Sequence, residues 1–425
     1  MEDNMVRNSA LLAALLVLIP SAGPAQTGLP ETSEYKGDIR RGPDGRLTVV
    51  APERAPVDAA DAARPATLKV GPQERVRTIS EAARLARNGD VVEILPGEYR
   101  GQTAVWTQDR LTIRGVGERP VLFADGRSAE DKALWVVRGG AIRVENLEFR
   151  GARVRDGNGA GIRFERGHLT IHRCAFIDNE MGILTDNKPD LALDVSDSEF
   201  ADAPRHDGPL HHLLYVGAIG RFTLTGSRFS NGYRGHLVKS RARENHVRYN
   251  LIADGPDGKA SYELEFPNGG LAYVVGNVIA QSAATENSVI VAYGAEGPRW
   301  PDNALYFAHN TLVNGRREGG AFLRLWSDKL PGAEAWILNN LTVGNGDLYQ
   351  PPHGRFEGNR SAPESALIEY GGVPARLKPG DPLRGGVRIP GAARGEELMP
   401  DAEFTLPAGR RPLRPGSSVA PGAFQ

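Results

Sequence analysis

Eight short segments recur along the middle of the chain, and this recurrence limits the fold more than any other feature. They are IRVENLEF from Ile142, LTIHRCAF from Leu169, LDVSDSEF from Leu193, FTLTGSRF from Phe222, HVRYNLIA from His246, AYVVGNVI from Ala272, ALYFAHNTL from Ala304 and EAWILNNLTV from Glu334. Their starts lie 27, 24, 29, 24, 26, 32 and 30 residues apart. Each alternates apolar and polar residues over about five positions, the period of a strand with one buried face. A drifting repeat of this length describes the coils of a solenoid whose corner loops vary. Leucine-rich repeats are the competing solenoid, but their fixed leucine spacing is absent. One position of the repeat holds Leu147, Cys174, Ser198, Ser227, Asn250, Asn277, Asn310 and Asn340. Four successive Asn at one corner predict a stack of amides that satisfy each other and the turn backbone. Cys174, the single cysteine, sits in this column and reads as a small buried residue.

The chain ahead of the repeat divides in three. Residues 10–20, ALLAALLVLIP, follow Arg7 and precede the small residues of SAGPAQ. This is the pattern of a signal peptide cut after Ala25, giving a secreted or periplasmic protein with no membrane role after cleavage. An uncleaved anchor or a buried helix is the alternative. Residues 26–66 lack a sustained period and read as a linker. In residues 67–99 a strand at Thr67–Val70 precedes a capping box, Thr78 and Glu81. Ile79, Ala82, Ala83 and Ala86 then recur at helical spacing, and a second strand runs from Val91 to Leu95. The string RTISEAARLARNGDVVEILPGEY resembles the N-terminal cap of right-handed parallel β-helix proteins of the pectin-lyase-like superfamily. The expected fold is therefore all-β: a right-handed parallel β-helix over 67–355 with an N-terminal capping helix. Residues 356–425 lose the period and read as a tail packed along the solenoid, with disorder as the alternative.

Composition removes several functions. Lys and Arg number 51 against 52 Asp and Glu, a net charge of -1, so no basic footprint for nucleic acid is present. One cysteine rules out an intramolecular disulfide framework or a cysteine-rich zinc site. No P-loop or dinucleotide pattern occurs, and nothing points to oligomers, so a monomer is expected.

Functional side chains concentrate between Arg205 and Asn268. Counting back seven residues from the repeats at Leu193, Phe222, His246 and Ala272 gives Asp186, Tyr215, Lys239 and Glu265. These form one expected outward column, with Leu214, Val238 and Leu264 facing inward. Arg241 would share the face of Lys239, and His211 that of Tyr215; His212 and His236 would stack on the other parity. Such a set suits β-elimination on a uronic acid polymer. That reaction needs a cation for the carboxylate, a base for the C5 proton and an acid for the leaving oxygen. Lys239 is the candidate base, its pKa expected to fall beside Arg241 and Arg243. Arg241 is the carboxylate clamp, and Tyr215, His211 or His236 the acid. Arg234, Arg243, Tyr262, Glu265 and Asn268 are candidate substrate contacts. A ladder of surface ion pairs, with Glu265 holding Lys239, is the plain structural alternative. In YGAEGPRWPDN, Glu296 with Arg299 and Trp300 forms a charged aromatic loop of the sort that grips sugars, and Trp300 fits packing over a coil edge equally well.

The stretch KSRARENHVRYNLIADGPDGKASYELEFPNGGLAYVVGNVI is similar to the central region of β-helix lyases of the chondroitinase B and alginate lyase type. The resemblance covers about 45 residues and implies Lys239, in Lys239-Ser240, as the base. The family's second catalytic residue, an Arg, falls on Glu265 here. Some members use calcium to neutralise the uronate; Asp186, Asp190, Glu263 and Glu265 are the loose candidates for it, and no metal site is assigned. The expected function is an exported polysaccharide lyase acting on an acidic polysaccharide. A glycoside hydrolase using Asp186, Glu263 and Glu265, a C5-epimerase, and a non-catalytic polysaccharide-binding module are the alternatives.

Overall fold

The computed structural model describes the strands Asp38–Arg41 and Leu47–Val50 and residues 65–205, 210–414 and 419–425. The leader read at 1–25 lies outside the described residues. The two early strands pair antiparallel, Asp38 opposite Val50, so the lead-in read at 26–66 contains a hairpin. It belongs to a unit of residues 1–62, and the rest of the chain forms a second unit.

From Thr67 the chain winds as a parallel β-solenoid, giving strands in turn to three sheets. The first sheet holds twelve described strands, from Thr67–Val70 to Gly354–Glu357. The second holds eleven, from Glu98–Arg100 to Arg360–Ala362, and the third ten, from Ala104–Trp106 to Asp347–Leu348. The repeat thus runs past the boundary read at 355. Inside, most of the residues facing one another from successive coils are apolar, and Phe149, Phe176, Phe200 and Phe229 stack at 5.1, 4.7 and 4.8 Å between ring centres.

The eight segments are the first-sheet strands with the corner that follows. Ile142 lies level with Leu169, Leu193, Phe222, Asn245, Ala272, Leu305 and Ala335. The starts read at His246, Ala304 and Glu334 are each one residue out. The reason is burial. Asn245 is an inward polar residue bonded to the Ser240 hydroxyl and the Ala242 carbonyl. In Ala304–Ala308 every residue is buried, so alternation no longer marks the inner face.

At each corner one residue adopts a left-handed backbone just before the Asn column: Arg173, Asp197, Tyr249, His309 and Asn339 have φ between 50 and 57°. The column itself is a hydrogen-bonded stack. The backbone N–H groups of Ser227, Asn250, Asn277, Asn310 and Asn340 donate to the side-chain oxygens of Asn250, Asn277, Asn310, Asn340 and Asn359 at 2.8–3.0 Å. Each amide nitrogen donates back to an inner carbonyl, Asn277 to Val247 O at 2.8 Å. Buried corner groups that water cannot reach are thereby paired. Cys174 is buried in this column, its thiol pushed up to about 12 by burial, which leaves it inert.

The helix Ile79–Leu85 starts where Thr78 Oγ1 accepts from Glu81 N at 3.2 Å, while Glu81 accepts from Arg77 N at 3.1 Å. Gln108 closes its far end, donating to the carbonyls of Ala83 and Ala86. Beyond residue 362 the chain runs back over the solenoid. Ala366, Leu367, Val373, Phe404 and Phe424 pack on Leu251, Val278 and Leu341 of the second sheet. Ala393 and Leu398 cover Tyr273 and Tyr306 of the first. Its contacts go to these two sheets, and the polar cluster lies on the third.

Candidate active site

The site rests on three neighbouring strands of the third sheet: His212–Val216, Val238–Ser240 and Leu264–Phe266. Tyr215, Lys239 and Glu265 are level with one another and face outward, while Leu214, Val238 and Leu264 are fully buried in the core. The expected column is present over these three coils. Asp186 is not in it: Leu184 holds the position level with Tyr215, and Asp186 lies beyond the strand, paired with Lys188 at 2.8 Å. The loop between coils is longer there, so a count of seven overshoots the strand by two.

A break in alternation widens the site. Leu213 and Leu214 both enter the core, as do Leu237 and Val238. His212 and His236 therefore emerge on the same face as Tyr215 and Lys239, not on the opposite one as expected. The His212 ring lies 5.2 Å from Tyr215 and 4.6 Å from His236, and His236 lies 5.0 Å from Tyr262. Gly235 makes the corner before His236 possible, since a Cβ there would sit 1.8 Å from the His211 carbonyl.

Ion pairs bind the cluster together. Lys239 Nζ lies 3.1 Å from Glu265 and 3.5 Å from Glu296. His236 Nδ1 stands 3.1 Å from the same Glu265 oxygen. Arg241 donates from Nε to the Tyr215 hydroxyl at 3.0 Å and from its two terminal nitrogens to Glu296 at 2.5 and 2.9 Å; it also bonds Asn268. The loop carrying Glu296 is stapled in place: Glu296 N donates to Pro267 O at 2.8 Å, and Trp300 Nε1 to Arg241 O at 3.0 Å. Trp300 thus packs as a brace.

Protonation follows from these neighbours. Burial alone would push Glu265 up; the His236 ring and the Lys239 ammonium outweigh it and hold the carboxyl below its ordinary value. Burial likewise pushes Glu296 up, and Arg241 with Lys239 outweighs it and holds that carboxyl low. Burial pushes His236 down against the pull of Glu265. His212 goes well down through burial, reinforced by His236 and Lys239. It is neutral, and its Nδ1 accepts from His236 N at 2.9 Å, so its proton is on Nε2.

Other expectations need correction. Carboxylates, not Arg241 and Arg243, are the charges paired with Lys239. Arg243 is exposed at the turn after Arg241, outside the cluster. His211 and Arg234 pair at the corner before the strands, and His211 Nδ1 is 3.3 Å from Pro204 O, so neither lies in the Lys239 column. Glu263 takes the inward position beside Leu264, is 0 % exposed, and neither of its oxygens has a hydrogen bond. Asp186, Asp190, Glu263 and Glu265 are thus scattered between surface, core and column. Among the described residues no group of three or more metal-ligating side chains forms, so these residues do not fit a calcium site. Glu296 is the main addition. It reaches the cluster from a loop 55 residues beyond Arg241, and only its charged aromatic context marked it.

No family model matches the chain. Among solved structures it is similar to pectate lyase Pel9A, with a TM-score of 0.56 and 13 % identity over 77 % of this chain and 93 % of that one. A PL6 family polysaccharide lyase from Pseudopedobacter saltans aligns with a TM-score of 0.36 and 14 % identity, over 70 % and 92 % of the chains. A tailspike of Acinetobacter baumannii bacteriophage Fri1, named a capsular polysaccharide depolymerase, aligns with a TM-score of 0.36 and 11 % identity, over 78 % and 66 %. The likeness to Pel9A is one of fold: the chain is a pectate-lyase-like parallel β-helix.

Proposed function

We propose that this protein is an exported polysaccharide lyase that cleaves an acidic, uronate-containing polysaccharide by β-elimination. One observation carries the reading. The Glu296 carboxylate lies in the fork of Arg241, beside Lys239 and the Tyr215 hydroxyl. A uronate carboxylate taking that place would have its charge neutralised where the C5 proton must become acidic. Lys239, once its own proton has gone to solvent, removes the C5 proton. Tyr215 accepts a hydrogen bond from Arg241 and keeps its own hydrogen to give to the leaving glycosidic oxygen. The C5–H and C4–O bonds break, a C4=C5 double bond forms, and the leaving chain carries the Tyr215 proton. Glu265 stands where the resemblance carries a catalytic Arg, and the acid role passes to Tyr215. Polysaccharide chemistry in the names of the structural neighbours agrees with this reading, as does the apolar leader ahead of Ala25.

Glu265 and Glu296 also invite a hydrolase reading, because both touch one ammonium and so lie within roughly 7 Å of each other, a separation hydrolases use. Hydrolysis needs one of the two protonated, yet both are held low. The elimination reading is therefore preferred.

Incubation with a panel of uronate polymers, followed by absorbance of the unsaturated product, tests it. The expected result is absorbance that Lys239→Ala and Tyr215→Phe abolish. New reducing ends without absorbance would mean hydrolysis. Epimerised polymer of unchanged length would mean a C5-epimerase, and retention without any product a binding module.

A further inference from the structure

The outward column of the third sheet continues beyond the cluster in both directions. Level positions run Arg163, Leu184, Tyr215, Lys239, Glu265, Ala292 and Arg324. Arg163 is three coils from Lys239 on one side and Arg324 three coils on the other. At a strand spacing of ~4.8 Å each arginine is roughly 14 Å from Lys239, and the two ends are roughly 29 Å apart.

Both arginines are available to an anion. Arg324 is exposed, its guanidinium 4.7 Å over the Trp326 ring, and among the described residues it has no hydrogen bond or ion pair. Arg163 has no hydrogen bond either. Its nearest carboxylate is Glu165 at 4.0 Å, which already binds Lys132 at 2.8 Å and Arg138 at 2.7 Å. In the column between the arginines and the cluster stand only the uncharged Leu184 and Ala292, both buried.

We infer that this face is a track for a linear anionic polysaccharide laid along the solenoid axis, with Arg163 and Arg324 as its end subsites. The inference rests on the lyase reading, because Lys239 marks the middle of the track. Arg324 binds a carboxylate while Trp326 offers its ring face to a sugar, and Arg163 binds a carboxylate at the other end. The enzyme consequently prefers chains long enough to span both ends and cuts inside them.

The test uses the full chain and Arg163→Ala, Arg324→Ala, Trp326→Ala and the charge-reversed Arg324→Glu. Size-graded oligosaccharides of the polymer that is cut report kcat/KM. The preference for long over short oligosaccharides should fall about five- to tenfold in each arginine variant, more for Arg324→Glu, and high salt should flatten the wild-type preference in the same way. Equal loss at every length, or none, overturns the track. Native electrophoresis in gels cast with alginate, polygalacturonate or hyaluronan judges it independently of turnover. Retardation of the wild type that Arg163→Ala and Arg324→Ala release supports the track even if no polymer is cut, in which case the lyase reading alone fails. Retardation unchanged by these variants, or no retardation by any of the polymers, overturns it.

Discussion

Glu263 is a buried carboxyl with no hydrogen-bond partner for either oxygen. Its inward column otherwise holds Leu213, Leu237 and Ile290, all in the core. Burial, with the nearby Asp254 carboxyl adding to it, pushes Glu263 well above its ordinary value, so in the fold it stays protonated. The unfolded chain ionises it above about pH 4.3. A folded-state pKa raised above the unfolded one means that stability is greatest below the unfolded value and declines as pH rises toward the folded value. Glu263→Leu should therefore stabilise the protein by roughly 1–3 kcal/mol from polar burial alone, with a larger gain at pH 8 than at pH 4.5. Thermal melts of both proteins across that range check this; a gain that does not grow with pH contradicts it. At the site, Glu296 occupies the place proposed for substrate. Glu296→Gln should weaken its grip on Arg241 and lower KM several-fold, read from initial rates on polymer. Lys239, Arg241, Tyr215, Glu265 and Asn268 were legible as one cluster because a coil repeat carries a count of residues from strand to strand. The inward turn of Glu263 and the outward turn of His212 and His236 were not, because a two-residue period cannot register two successive side chains entering the core.

The Asn column is the element that fixes where each coil turns. Asn277 accepts from both nitrogens of Asn250, N at 3.0 Å and Nδ2 at 2.9 Å, and donates to Val247 O. Asn277→Ala orphans these buried groups, each worth about 1–3 kcal/mol. Asn277→Ser should cost less, since the Ser227 hydroxyl already accepts from Ser198 N at 3.2 Å. Chemical denaturation of the two variants checks the order. The column was visible in the sequence because identical side chains recur at one repeat position. Register was less visible in the late coils, where Tyr273, Tyr306 and Ala308 are outward yet buried. Hydrophobicity reports burial, and here burial comes from chain far away in sequence.

Three faces of one solenoid have different fates. Residues after 362 cover much of two of them in the later coils, through apolar packing and through bonds such as Tyr249 to Asp401 at 2.6 Å and Arg248 to Glu396 at 3.3 Å. A chain stopped at residue 362 should keep its parallel sheets but expose Leu251, Val278, Val313 and Leu341 as one apolar stripe. The expected outcome is dye binding and self-association, followed by fluorescence and size-exclusion chromatography; a monodisperse monomer would contradict the covering role. The covering segment also sets an order of events during synthesis. Contacts within the solenoid join residues about one repeat apart, so coils can close one upon another as the chain lengthens. The bonds from Tyr249 and His309 reach 152 and 111 residues ahead. The molecule is thus born with two greasy flanks, and for the time a ribosome needs to finish it they are open to chaperones and to neighbouring chains.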